Sequence, residues 1–132
     1  MRVDRVIQLG SCQKDTEVIF LQPLSDALEA LARLDGLGPV PELEQIFCHT
    51  DYSYSRARAA KAMAATAPAE FVSRYARECL WDCHWDAREL GCRMANISAP
   101  GVVERLRELA TDKNESNGTR QAAEKRLKES MR

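Results

Sequence analysis

Apolar side chains return at helical spacing through most of this chain. Leu24, Leu28, Leu31 and Leu34 share one face with Ala27 and Ala30 beside them, and Asp35-Gly36-Leu37-Gly38 supplies the stop. Pro41 opens a second stripe in which Leu43, Ile46 and Phe47 fall at i, i+3 and i+4. A polar corner at Asp51-Tyr52-Ser53 leads into an alanine-rich helix, Ser55–Ala65, whose thin side chains imply close packing. Pro68 begins a helix carrying Phe71, Val72, Tyr75, Ala76, Cys79 and Leu80 on one side. A corner at Asp82 then precedes a helix over Trp85–Ala95. Ser98-Ala99-Pro100 breaks that helix, and Val102, Val103, Leu106, Leu109 and Ala110 mark the next. Asp112–Gly118 is a polar corner before a last helix, from about Thr119, with Ala122, Ala123 and Leu127.

The first 23 residues fit this pattern less well. Residues 2–11 can form a short helix burying Val3, Val6, Ile7 and Leu9, closed by Gly10-Ser11. The contiguous Val18-Ile19-Phe20-Leu21 suits either a buried strand or a buried helical turn, and its helical neighbours favour the helix. Pro23 suits a helix entry or a kink.

The helices repeat in pairs. Arg56, Arg88 and Arg120 are spaced 32 and 32 residues apart, and each is followed three residues later by a small residue: Ala59, Gly91, Ala123. A further step back lands on Leu24 with Ala27 in the small position, a unit without the arginine. Pro68 to Arg88 and Pro100 to Arg120 are both 20 residues, so the match extends to internal spacing. Each unit reads as a Pro-initiated helix, a corner with Asp, and a helix with Arg in its first turn. Such units cannot bury their apolar faces alone, and stacking supplies the core. The terminal units should differ: Lys125, Arg126, Lys128 and Glu129 make the last helix polar enough to face water.

This arrangement resembles HEAT-like repeats, in particular the short type found in phycobilin lyase subunits. The residues that carry the likeness are Asp51, Arg56, Ala59 and Met63; Asp82, Arg88, Gly91 and Ala95; Asp112, Arg120, Ala123 and Leu127. The resemblance covers residues 24–132. It implies an all-α fold, an α-solenoid of about four two-helix units in one domain, with residues 1–23 a degenerate cap. It also implies a structural role for Asp51, Arg56, Asp82, Arg88, Asp112 and Arg120 in holding neighbouring units together. Its members include scaffolds, lyase subunits and DNA-repair enzymes, so it constrains function weakly.

Composition narrows the function classes. A chain of 132 residues with 45% hydrophobic, 30% charged and 6% aromatic residues suits a helical globular domain. The net charge of -1 argues against nucleic acid or an anionic membrane as the main partner. Charges lie within the first five residues, the apolar run after them is too short for a signal peptide, and no stretch approaches the ~18 apolar residues of a membrane span. A cytoplasmic protein is expected. Five cysteines, Cys12, Cys48, Cys79, Cys83 and Cys92, are odd in number and read as reduced, buried thiols rather than a disulfide framework.

The densest chemistry is at the Asp82 corner, where Trp81, Asp82, Trp85, Asp86 and Arg88 lie within eight residues. Tyr52 and Tyr54 occupy the corresponding corner one unit earlier. Two readings compete. The tryptophans can wedge between units while Asp82 caps a helix. Alternatively the corners form an aromatic, acidic, arginine-bearing face of the kind that dominates protein interfaces, with Tyr52, Tyr54, Arg58, Trp81, Trp85 and Asp86 as contacts. HEAT-like alkylpurine DNA glycosylases also present Trp, Asp and Arg, but a DNA binder should show a cationic face. Cys79, Cys83 and His84, with Cys48-His49, lack the two short ligand pairs of a structural zinc site, so no metal is expected. No phosphate loop, nucleophile elbow or Ser/His/Asp arrangement is present, and no cofactor is implied. The expected function is a non-enzymatic protein-binding module, such as an adaptor, inhibitor or immunity-type partner. The alternative is a glycosylase-like or chromophore-lyase-like enzyme or accessory subunit.

Overall fold

The computed structural model describes residues 24–132, and every regular element among them is helical. The expected helix over 2–11, the 16–21 stretch, Pro23 and Cys12 lie outside the described residues. Residues 24–31 form α1, followed by α2 (Pro41–His49), α3 (Ser53–Thr66), α4 (Pro68–Arg74), α5 (Ala76–Cys79), α6 (Trp85–Met94), α7 (Val102–Thr111) and α8 (Asn117–Ser130). The chain divides into two compact units, one running to Pro68 and the other Ala69–Arg132.

In the first unit α2 packs on α3. Leu43, Ile46 and Phe47 supply the α2 side, all buried as the spacing predicts, while Ala57, Ala59, Ala60, Ala62 and Met63 are buried along α3. Burial of so many alanines leaves no bulky side chain to hold that helix away from its neighbours. The α1 stripe is shorter than expected. Leu28 is buried, but the helix stops at residue 31, and Leu34 and Leu37 are exposed. The terminating loop has its own task. Gly36 and Gly38 adopt left-handed backbone, with φ of 71° and 103°, which glycine tolerates without steric cost. Their amides donate to Ala65 O at 2.9 Å and Thr66 O at 2.7 Å, satisfying carbonyls at the open end of α3.

In the second unit the helix expected from Pro68 through Leu80 is divided. Tyr75, at φ -129° and ψ -27°, leaves helical geometry and separates α4 from α5, although Tyr75 N still reaches Phe71 O at 2.9 Å. The predicted apolar face survives the break, because Phe71, Ala76, Cys79 and Leu80 are all buried. α5 packs on α6, α6 on α8, and α7 on α8. Between them lie Ala87, Cys92, Ala95, Val102, Leu106, Leu109 and Ala123, each no more than 1% exposed.

The last helix starts at Asn117, two residues earlier than expected, because Ser116 caps it: its hydroxyl accepts from Thr119 N–H at 3.2 Å. One residue expected to face water is a clamp. Arg126 donates from Nη1 to Cys92 O (3.2 Å) and Arg93 O (2.7 Å) and from Nη2 to Ala95 O (2.6 Å). It thereby places a cation on the negative C-terminal end of α6 and binds α8 to it.

Candidate functional site

The repeated arginines do the same thing at two corners. Arg56 donates from Nη1 to Thr50 O at 3.4 Å, and Arg88 from Nη1 to Asp82 O at 2.9 Å; each reaches six residues back from the first turn of its helix. The side chains at those two positions also match in action. Thr50 Oγ1 accepts from Tyr52 N–H at 3.2 Å and Asp82 Oδ1 from His84 N–H at 2.9 Å, so each closes its corner two residues on. The first corner is therefore closed by Thr50, and Asp51 beside it is exposed. At the third corner Asp112 Oδ1 accepts from Asn114 N–H at 2.9 Å, while Arg120 bonds the Asn117 side chain.

Arg88 also reaches forward. Its Nε and Nη2 grip Glu115 Oε2 and Oε1 at 2.6 and 2.8 Å, and the Glu115 side chain is only 3% exposed. Burial alone would raise the Glu115 carboxyl pKa. Hydrogen bonds from Arg88 and from Ser116 N–H, with the charges of Arg88 and Arg105, outweigh it and hold the group below the usual carboxylate range. The hydrogen bond to Glu115 likewise raises the Arg88 pKa above its ordinary value.

The two tryptophans are not wedged into the core. Trp81 is 48% exposed and Trp85 49%, so the burial reading of the two indoles fails. The cause is positional: Trp81 follows the last turn of α5 and Trp85 is the first residue of α6, both at the corner rather than on the helix faces that pack. Trp85 stacks on His84, with ring centroids 5.7 Å apart and planes 25° from parallel. His84 Nδ1 in turn accepts from Asp86 N–H at 3.1 Å and so caps α6. The Trp85 carbonyl accepts from Thr119 Oγ1 at 3.1 Å, which fixes the base of that corner against α8. Asp86 is half-buried in the first turn of α6.

Within the first unit, Tyr52 and Tyr54 are brought together at 6.1 Å, and Tyr52 is exposed. The Arg58 guanidinium lies 4.6 Å from the Tyr54 ring centroid and donates to its hydroxyl at 2.6 Å while pairing with Glu29 at 3.3 Å. Arg58 is thus built into the unit's own packing as well as its surface.

Two residues that the sequence did not single out complete the surroundings of Trp81. The Arg77 and Arg105 guanidinium carbons sit 5.2 and 5.9 Å from the Trp81 ring centroid. Arg77 lies only four residues before Trp81, within one turn of chain. Arg105, 24 residues on, carries no such signal.

Cys79 and Cys92 are buried, whereas Cys48 and Cys83 are exposed, against the expectation that the thiols are generally buried. Cys48 lies on the outer face of α2 and Cys83 in the corner. Burial pushes the Cys92 thiol up to about 12, with the Glu115 charge adding to the effect. Among the described residues no three His, Cys, Asp or Glu side chains converge as a metal would require. No described helix is long and apolar enough to cross a membrane. A groove of about 440 Å³ between α6 and α8, lined by Glu89, Arg93, Gly118, Gln121, Lys125 and Glu129, mixes both charges and contains no aromatic side chain. Comparison with known proteins gives no match to a family model, a curated protein or a solved structure.

Proposed function

We propose that this chain is a short α-solenoid of HEAT-like units and acts as a non-enzymatic protein-binding module through its aromatic corners. The solenoid reading is supported by the packing of α5 on α6, α6 on α8 and α7 on α8. That order fits one helix pair laid against the next. The shared reach of Arg56 and Arg88 to a carbonyl six residues back supports it further.

The observation that carries the function is the exposure of both tryptophans at a corner whose backbone is fixed. An indole held half in water costs little conformational entropy on binding and offers a large apolar area, the properties of an interface anchor. The enzymatic alternative needs Arg88 available beside the aromatics and Asp86. Arg88 instead spends its donors on Glu115 and the Asp82 carbonyl, which favours the binding reading.

The test compares wild-type chain with a Trp81→Ala/Trp85→Ala variant whose fold is verified by circular dichroism. Proteins captured from lysate are purified and titrated against both by calorimetry. A partner that binds wild type and loses at least about tenfold with the variant supports the module. Capture of nucleic acid or a pigment in place of a protein, or equal affinity for both chains, overturns it.

A further inference from the structure

Trp81 lies beside two guanidinium groups that each donate to a backbone carbonyl. Arg77 Nε donates to Pro100 O at 2.8 Å, and Arg105 Nε donates to Leu80 O at 3.0 Å. Each bond uses the inner edge of the fork and fixes the plane of the group. Arg105 gives Nη1 to Glu108 at 2.9 Å. Arg77 has no carboxylate partner among the described residues. The cluster therefore carries two cations against one directly bonded carboxylate.

The space beside it is kept open by Gly101. A Cβ at that position would lie 3.6 Å from Trp81 Cη2 and 3.7 Å from Arg77 Nη2, so any side chain there would begin to cover the indole edge and the free end of the Arg77 fork. Its φ of +80° also favours glycine. The arrangement is an exposed apolar ring flanked by preset donors with an uncovered edge.

We propose that Arg77, Trp81 and Arg105 form a docking platform for an acidic peptide segment in which an Asp or Glu neighbours an apolar side chain. The carboxylate takes the guanidinium donors, and the apolar side chain lies on the indole. The proposal rests on the protein-binding reading above and names its partner chemistry. Charge complementarity selects the acid, since a guanidinium fork matches a carboxylate in two parallel hydrogen bonds. The indole gives the pair its value, because an ion pair left in water contributes little, and an apolar contact beside it excludes solvent. A nucleic acid strand fits less well. It needs a run of cations to neutralise successive phosphates, whereas here two arginines stand in a near-neutral chain.

The experiment pans a random displayed-peptide library on the intact chain and measures the enriched peptides, fluorescein-labelled, by anisotropy. Enrichment of Asp or Glu beside an aromatic or aliphatic residue is expected. Affinity should fall at least about tenfold with Arg77→Glu and less with Arg77→Lys. Lysine-substituted peptides should regain affinity for Arg77→Glu. In ¹H–¹⁵N spectra the Trp81 indole N–H should shift on binding more than that of Trp85. Enrichment without acidic bias, no enrichment, equal binding to Arg77→Glu, or binding of labelled single-stranded DNA that Arg77→Glu abolishes would each overturn the platform. Peptides that ignore Arg77→Glu but are lost with Trp85→Ala would sink it while leaving the protein-binding reading intact.

Discussion

Arg88 holds both carboxylate oxygens of Glu115, 27 residues further along the chain, at 2.6 and 2.8 Å, while its remaining donor closes the Asp82 corner behind it. One side chain thus joins two successive corners. Removing Arg88 strands a carboxylate whose side chain is only 3% exposed, and removing Glu115 strands a guanidinium that is 18% exposed; either is costlier than the pair's own net worth. Glu115→Ala is expected to lower unfolding free energy by ~3 kcal/mol in urea titrations. Arg88→Ala should do the same, and the double variant should cost far less than the sum. Additive losses would show that the two side chains do not act as a pair.

The same pair gives stability a pH dependence. Glu115 is held below its ordinary range when folded, so the unfolded chain binds its proton more readily. The contribution is therefore fully present above the unfolded-state value, about 4.3, and is lost as pH falls through the folded value. Melting temperatures measured downward from pH 6 should fall more steeply for wild type than for Glu115→Gln, which has no proton to take up. Parallel curves would remove Glu115 from the acid response.

At Gly91 the backbone of α6 comes close to that of α5. A Cβ there would come within 2.9 Å of Leu80 N and 3.2 Å of both Ala76 O and Cys79 C, all backbone atoms that cannot turn aside. On an exposed helix Gly→Ala would stabilise by ~1 kcal/mol. Here the sign should reverse, with Gly91→Ala costing ~1–3 kcal/mol. Gly118 is the control. Its added Cβ meets Glu89 Oε1 at 2.9 Å, the far end of a side chain that can move, so Gly118→Ala should stay within ~0.5 kcal/mol of wild type. Equal effects from the two substitutions would show that the backbones of α5 and α6 do not meet closely at Gly91.

The residues that sequence reasoning reached are those that act within a few positions of themselves. Leu43, Ile46 and Phe47 are buried because helical spacing alone places them on one face. The 32-residue arginine spacing likewise pointed to Arg56 and Arg88, since each acts on its own corner. What lay beyond reach was long-range or chemically disguised. No spacing in the sequence pairs Arg88 with Glu115 or Arg105 with Trp81, because those separations are set by how the helices pack. Asp51 is the acid that the repeat pattern offers at the first corner, yet Thr50 closes that corner, its hydroxyl accepting as the Asp82 carboxylate does. The apolar stripe through Tyr75 continues unbroken in sequence, so the division of α4 from α5 leaves no trace in the hydrophobic pattern. Indole exposure was undecidable for the same reason: a tryptophan at a corner can turn inward or outward with identical spacing.

The cysteines test burial residue by residue. Cys79 and Cys92 are fully buried, and burial pushes the Cys92 thiol up to about 12, so at pH 8 almost none of it is the thiolate that reacts. Cys48 and Cys83 are exposed. Brief treatment with iodoacetamide at pH 8, followed by peptide mass spectrometry, should place adducts on Cys48 and Cys83 and leave Cys79 and Cys92 unmodified until urea unfolds the chain. Gly91→Ala sharpens the experiment, because its added methyl pushes on the α5 backbone at Cys79 and Leu80. If it opens that contact, Cys79 and Cys92 should label faster than in wild type while Cys48, in the other unit, keeps its rate. Rapid labelling of Cys92 in the wild-type chain would mean that the second unit opens readily at its core, and the stability assigned to the Arg88–Glu115 pair would have to be revised downward.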